Sequence, residues 1–243
     1  MRCTIATANM ATMNRALIVA IVSLLALAPC TAARAGCVPD PQRGFVCGDG
    51  KEALRVFPET ISPSGKLAFG WRTAAGLPAA QAEPAGEVEN VLVRLPEGTV
   101  LGRLGGTYWA TGEMRANRYD LLAAWSPDSR TVVEVANSRW DTDSFRFYAV
   151  GDADTVILDL HDLVERAVRA KISTPAAKGR VFRVREDLPV KLDNDGRLGF
   201  AAILFIPKSE EPAFGFRVEL IVKTIKSSAA ARVVSVQRTK LPD

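Results

Sequence analysis

One histidine, two short carboxylate clusters and two aromatic pairs are the residues of this chain with chemistry to offer. His161 is the only histidine in 243 residues. A nucleophile–histidine pair needs a Ser or Cys converging on the ring, and the chain has no G-x-S-x-G elbow. His161 falls in the first turn of an expected helix, where a solvated surface histidine is the simpler reading. Zinc asks for several His or Cys ligands, and one histidine is too few. Carboxylates gather at Asp141-Thr142-Asp143 and at Asp193-Asn194-Asp195. Calcium takes several oxygens and could use either set. The second set lacks the EF-hand spacing with its closing glutamate and coincides with a repeated turn, so turn chemistry accounts for it. Asp141 and Asp143 read as a solvated loop. Their alternatives are calcium or an acid/base pair, whose separation is not written in the sequence.

Thr107-Tyr108-Trp109 and Arg139-Trp140-Asp141 place large aromatics in expected loops. Exposed aromatics beside Arg and polar residues are common anchors of binding surfaces. Tyr108, Trp109, Arg139, Trp140 and Asp141 are therefore the candidate binding residues. The competing reading makes Trp109 and Trp140 caps on the ends of a β core. No catalytic residue, metal ligand set or cofactor is assigned. The glycines between Gly102 and Gly112 do not follow the G-x-x-x-x-G-K-[ST] order of a phosphate-cradling loop.

Elements that could position these residues are announced by one phrase used three times. Ile61-Ser62-Pro63-Ser64-Gly65-Lys66-Leu67-Ala68-Phe69 is followed by Trp125-Ser126-Pro127-Asp128-Ser129-Arg130-Thr131-Val132-Val133, then by Leu192-Asp193-Asn194-Asp195-Gly196-Arg197-Leu198-Gly199-Phe200. Each copy has a large apolar residue, a four-residue turn, a basic residue and a strand-like run. Proline presets φ at the second turn position, and Ser or Asp at the first bonds to backbone amides. Spaced self-similarity of this kind points to a fold of repeated sheet units. Strands are expected after each turn: Lys66–Arg72, Glu89–Leu95 and Thr99–Leu104; Thr131–Ala136, Ser144–Val150 and Thr155–Leu160; Leu198–Ile206, Gly215–Ile225 and Ala231–Arg238. A fourth precedes each turn, at Leu54–Phe57, Leu121–Trp125 and Val181–Val190. Phe69, Val133 and Phe200 are expected at matching inward positions, with Trp71 and Trp125 in the core. One short helix, about Leu160 to Lys171, follows from apolar residues at Leu160, Leu163, Val164, Ala167 and Val168, with Asp159 as a candidate N-cap.

Trp125-Ser126-Pro127-Asp128-Ser129-Arg130 in particular resembles the WD40-like repeats of TolB-type periplasmic propellers. That resemblance implies an all-β fold of propeller-like antiparallel sheet units, about three in number, and a protein-interaction role. Closed propellers usually have four blades or more, so three units imply an incomplete propeller or a divergent fourth blade. A β-sandwich is the alternative architecture.

The N-terminus carries the grammar of an export signal. Arg15 precedes the 13-residue apolar run Ala16–Ala28, and Ala33-Arg34-Ala35 offers small residues before Gly36. The expected organisation is a signal peptide over 1–35 and a single β-rich domain over 36–243. Met13 would begin a more ordinary signal than Met1, and a lipoprotein site at Cys30 ranks behind because Pro29 precedes it. Residues 1–35 hold Arg2, Arg15 and Arg34 and no acid, so of 31 basic and 27 acidic residues the remainder keeps 28 and 27, a net of +1. The basic character of the whole chain then belongs largely to the signal, and no nucleic-acid partner is expected. After signal removal no apolar stretch is long enough to span a membrane. Cys37 and Cys47 remain, an even pair in an exported protein, and read as a disulfide. The expected function is a periplasmic or secreted, non-catalytic binding or scaffolding module for an envelope protein or polymer. The alternatives are an envelope-polymer hydrolase using Asp141 and Asp143, and a calcium- or small-ligand-binding protein.

Overall fold

Three antiparallel meanders follow one another along the chain, and the middle one is covered on both faces. The computed structural model describes residues 36–40, 44–79, 81–117, 119–152 and 154–240. The expected signal segment 1–35 lies outside the described residues. The first sheet runs in spatial order through β1 (Val38–Asp40), β2 (Gly44–Cys47), β3 (Leu54–Val56), β4 (Leu67–Thr73), β5 (Val88–Arg94) and β6 (Thr99–Arg103). A two-stranded hairpin, β7 (Ala110–Thr111) and β8 (Met114–Arg115), leads to the second sheet. That sheet holds β9 (Asp120–Trp125), β10 (Thr131–Asn137), β11 (Thr142–Val150) and β12 (Thr155–Asp159). Two helices, α1 (His161–Arg169) and α2 (Thr174–Ala177), precede the third sheet. It pairs β13 (Val181–Val184), β15 (Arg197–Phe205), β16 (Phe214–Ile225) and β17 (Ser228–Thr239), with the short β14 (Lys191–Leu192) beside β15.

The fold is all-β with antiparallel sheet units, and four details differ from the sequence reading. The first sheet gains β1 and β2. The strand expected over Val181–Val190 is only β13, Val181–Val184, and the short β14 begins after the expected range; Pro189 between them has no amide to donate to a ladder. A second helix exists, α2, where Pro175 sits in the first turn and fits its fixed φ to the helix start. The N-cap of α1 is Leu160 and not the expected Asp159, which stands one residue earlier and accepts from the backbone N–H of His161 through Oδ1 at 2.9 Å.

Packing explains the alternation of side chains. Phe69, Trp71 and Leu92 of the first sheet meet Val132 and Tyr148 of the second in one buried cluster. Val133, Val135, Phe145 and Phe147, on the other face of the second sheet, meet Leu198, Phe200, Val218 and Leu220 of the third, with Leu160, Val164 and Val168 closing the end. A third cluster, Leu54, Val56, Ala68, Val91 and Val93, lies on the outer face of the first sheet. Cys37 and Cys47 join this cluster and are bonded to each other. The bridge ties β1 and β2 to the sheet through a loop of 10 residues' separation. On the chain-entropy view its loss costs about 2–3 kcal/mol. Reduction should therefore lower the urea midpoint while the far-ultraviolet circular dichroism before the transition is unchanged; loss of the native spectrum on reduction would contradict a bridge confined to the terminal loop.

The three turns share one conformation. Gly65, Ser129 and Gly196 all have positive φ, at 71°, 61° and 80°. Each donates its N–H back to the first residue of its turn, Ser62, Ser126 or Asp193. They also lie against one another: Ser64 N donates to Ser129 Oγ and Asp128 N to Asn194 Oδ1, both at 3.0 Å. Within the second turn Asp128 Oδ1 accepts from Ser126 Oγ at 2.7 Å and from Arg130 N at 3.1 Å. The bond from Ser126 holds the Asp128 carboxyl below its ordinary range. Asp128→Ala should cost about 1 kcal/mol, the worth of turn hydrogen bonds with little packing, by urea denaturation.

One step in the third turn overturns the expected equivalence of Phe69, Val133 and Phe200. Ser62 and Ser126 close onto the carbonyl five residues on, Leu67 and Thr131, whereas Asp193 closes onto Arg197, four residues on. Dropping one residue reverses which face every following side chain takes. Ala68, Val132 and Leu198 are the true equivalents that face backward along the stack, and Phe69, Val133 and Gly199 those that face forward. Phe200 is buried at 4% exposure, but against the second sheet rather than beyond the third.

Candidate functional site

The ends of the β-strands opposite the repeated turns carry the candidate aromatics. Asp120 begins β9 and Asn137 ends β10, paired in register, so the hairpin Ser138–Asp141 and the approach to β9 emerge together. Asn137 fixes the hairpin base: its Nδ2 donates to Val184 O at 3.0 Å and to Glu186 Oε2 at 2.8 Å, while Thr142 Oγ1 donates to its Oδ1 at 2.6 Å. Arg183, from β13, then joins the pieces. Its guanidinium donates to the Ser138 carbonyl, to Glu186 Oε1 at 2.7 Å and to Asp120 Oδ2 at 3.4 Å.

Asp120 is also the wall of a cavity of about 540 Å³, with Trp109, Tyr119, Arg115, Glu83 and Glu113 around it. Trp109 is half-buried, its apolar side packed on the core between the first two sheets. Tyr119 is exposed at 37%. Glu83 arrives from the long loop after β4, which is attached to the β7–β8 hairpin by Thr111 Oγ1 donating to Ala82 O at 3.3 Å. Across the Asp120–Arg183 pair, Arg139 stacks over Trp140 at 4.5 Å from its ring centroid, and Asp141 is exposed with Ser138 Oγ bonded to its carboxylate. Arg183 thus ties Asp120, at the cavity beside Trp109, to Ser138, at the base of the turn that carries Arg139, Trp140 and Asp141.

Tyr108 is different. It is 9% exposed, and its ring tilts against Phe57 at 5.3 Å between centroids. Asn90 clamps its backbone, receiving Tyr108 N at 2.7 Å and donating to Tyr108 O at 2.6 Å. Burial pushes the phenol up, with the nearby Arg115 pulling the other way. Tyr108 supports the floor beneath Trp109 and is not an exposed anchor. Trp71 is fully buried as expected, and Trp125, half-buried, donates its indole N–H to Thr60 O at 2.7 Å.

The carboxylates divide. Asp143 is pushed up, first by partial burial and then by the Asp141 charge. Neither acid lines the aromatic cavity at Asp120 or the cavity at the turn end. Asp195 and Asn194 of the other cluster line the largest of these cavities, about 780 Å³, which opens between the second and third sheets at the turn end over Phe147 and Val222. His161 is less solvated than expected: its ring packs edge-to-face on Phe182 at 5.6 Å. With Asp162 and Glu165 it forms the one group of possible ligands for an ion found among the described residues, all from the start of α1. Ordinary i,i+4 pairing on the helix face, His161 Nδ1 to Glu165 Oε2 at 4.0 Å and Arg169 to Glu165 Oε1 at 2.7 Å, accounts for the contacts of Glu165, and Asp162 is a chain neighbour of His161.

Glu134 and Tyr148 were not singled out by the sequence, although a lone acid in the run Val132-Val133-Glu134-Val135 is a signal. Glu134 is fully buried in β10. It accepts from Gly105 N and Gly106 N at 2.8 and 2.9 Å and from Tyr148 OH at 2.6 Å. Burial pushes its carboxyl up, and these donors act against that. Burial pushes Tyr148 up as well, and the Glu134 charge adds to it. A Cβ on Gly106 would stand 2.8 Å from Ala136 Cβ, so only glycine brings this loop close enough to feed the carboxylate. With Asn90, Glu134 fixes the segment Gly105–Trp109 that presents the aromatic cavity. Comparisons with protein families, with characterised proteins and with solved structures returned no match for this chain.

Proposed function

We propose that this chain is an exported, non-catalytic binding module whose contact surface is the aromatic end around Trp109, Asp120, Arg183 and Trp140. The observation that carries this reading is the Asp120–Arg183–Ser138 linkage, which ties the start of β9, beside the Trp109 cavity, to the turn that bears Trp140. Aromatics with arginine at a recessed, polar-rimmed surface have the composition of interaction anchors. Three turns of matching conformation, stacked against one another, support reading the sheets as blades of a partial WD40-like, TolB-type propeller, a scaffold suited to presenting loops. A disulfide supports a periplasmic or secreted location, where thiols stay oxidised. The partner is an envelope protein or polymer.

The test is capture from envelope extract with the parent protein and with Trp109→Ala/Trp140→Ala. Trp109 also packs on the core, so the double variant should melt below the parent while keeping its native circular dichroism, and both it and Trp140→Ala alone should lose captured species. Equal capture by parent and variant would remove this end from the interaction.

A further inference from the structure

The shortened third turn has a consequence for the face it leaves outermost. On β15, Leu198, Phe200, Ala202 and Leu204 are buried toward the second sheet. The residues that alternate with them, Gly199, Ala201 and Ile203, face away from it. The forward faces of the first two sheets carry Phe69 and Val133 at the position that Gly199 takes here. Nothing stands within 4 Å of where a Cβ on Gly199 would lie. The result is a groove of about 500 Å³ with Gly199 and Ala201 as floor and Pro189, Lys191, Arg217 and Glu219 as walls. A smaller hollow of about 200 Å³, beside Arg197 and Val234, continues it.

Charge on this face is one-sided. Register places Arg217 opposite Ala201, Glu219 opposite Gly199, Lys191 opposite Gly199 from the other side, and Arg232 opposite Ile221. Lys223, two residues beyond Ile221, shares the face. Lys191, Arg217, Lys223 and Arg232 are exposed and make no ion pair with any described residue. Arg197 leans on Asp195 at 3.5 Å. Glu219 and Asp193 are the acids of the groove, and Glu219 accepts from Ser235 Oγ at 3.4 Å. With Asp195 counted beside its partner Arg197, five cations stand against three acids around a floor of small residues.

We propose that the outer face of the third sheet docks an extended acidic peptide segment of a partner protein. Small floor residues let a peptide backbone approach the sheet closely, and the rim cations pair with its carboxylates. A membrane surface fits less well, because interfacial binding uses a broad protruding face of aromatic and apolar side chains, whereas the exposed apolar residues near this groove are two separate aliphatic side chains, Val234 at 44% and Ile225 at 66% exposure. This surface is separate from the aromatic end and does not depend on it.

The experiment is fluorescence anisotropy with a labelled oligoglutamate peptide of about ten residues, the length of a strand-like ligand. An oligolysine of equal length and phosphatidylglycerol vesicles serve as the other probes. The acidic peptide should bind saturably, more weakly as salt rises, and the oligolysine should not. Arg217→Glu/Arg232→Glu should weaken it by about tenfold or more, and Arg217→Ala by less, with unchanged thermal melting in both since the side chains are exposed. Ala201→Leu, which fills the floor without altering charge, should also weaken it. Trp109→Ala should bind the peptide as the parent does. Equal binding of the two peptides, no effect of charge reversal or of filling the floor, or tighter binding to vesicles than to peptide would overturn the proposal.

Discussion

Phe69→Ala and Phe200→Ala should each lower the free energy of unfolding by about 3–5 kcal/mol, and the two losses should add. Both side chains are almost wholly buried, at 0% and 4% exposure. They belong to different clusters, Phe69 with Trp71 and Tyr148, Phe200 with Phe145 and Val218. Sites with no shared partner act independently. Phe145 and Phe200 are the contrasting pair, edge-to-face with ring centroids 4.9 Å apart. Phe145→Ala and Phe200→Ala together should fall short of their sum by about 0.5–1.5 kcal/mol, the coupling such pairs show. Urea denaturation of the parent, the three single variants and the two double variants measures both cycles. Additivity for Phe145 with Phe200, or coupling between Phe69 and Phe200, would mean that the third sheet does not present Phe200 to the second.

Glu134→Ala is expected to be as damaging, about 3–5 kcal/mol, through a different route. No apolar surface is at stake. Instead Gly105 N, Gly106 N and Tyr148 OH are left as buried donors without their acceptor, and the loop they hold carries the aromatic cavity. Glu134→Gln keeps an oxygen for the glycine amides and should cost less. The two variants also separate with pH. Burial raises the Glu134 carboxyl in the folded chain, so the native state holds that proton more tightly than the unfolded one. The contribution of this group is then complete below the unfolded carboxylate range and is lost as pH rises through the folded value. Glu134→Gln does not titrate. Stability of the parent relative to Glu134→Gln should therefore improve as pH is lowered from roughly 8 toward 4. A difference that is flat or moves the other way would show that the glycine amides and Tyr148 outweigh burial.

Local pattern was enough to find most of the architecture. Proline at the second turn position, Ser or Asp at the first and a residue at the fourth able to take positive φ specify the turns through contacts spanning about five residues. Alternation in Leu67–Trp71 and Phe216–Val222 marked strands because a strand shows its two faces in sequence. The stripe Leu160, Leu163, Val164, Val168 marked α1 in the same way, and the pairing of Cys37 with Cys47 needed only their number and the short loop between them. The side to which a strand's apolar face turns is not local in this sense. It depends on whether a turn closes across four residues or five, and Gly196 and Gly65 look alike until the backbone bonds are drawn. The candidate site divides along the same line. Trp109, Arg139, Trp140 and Asp141 could be named from residue type, since aromatic and charged residues in turn-rich segments announce exposure. That Tyr108 goes inward while its neighbour stays at the surface was decided by Asn90 and Phe57, 18 and 51 residues away in the chain. Likewise the linkage of the two aromatic segments rests on Arg183, 63 residues from Asp120, and the loop beneath them on a glutamate that the sequence shows only as one acid in a run of valines. Turns and strands were set by near neighbours and so were legible; register, burial and convergence are set by partners that only the folded sheets bring together.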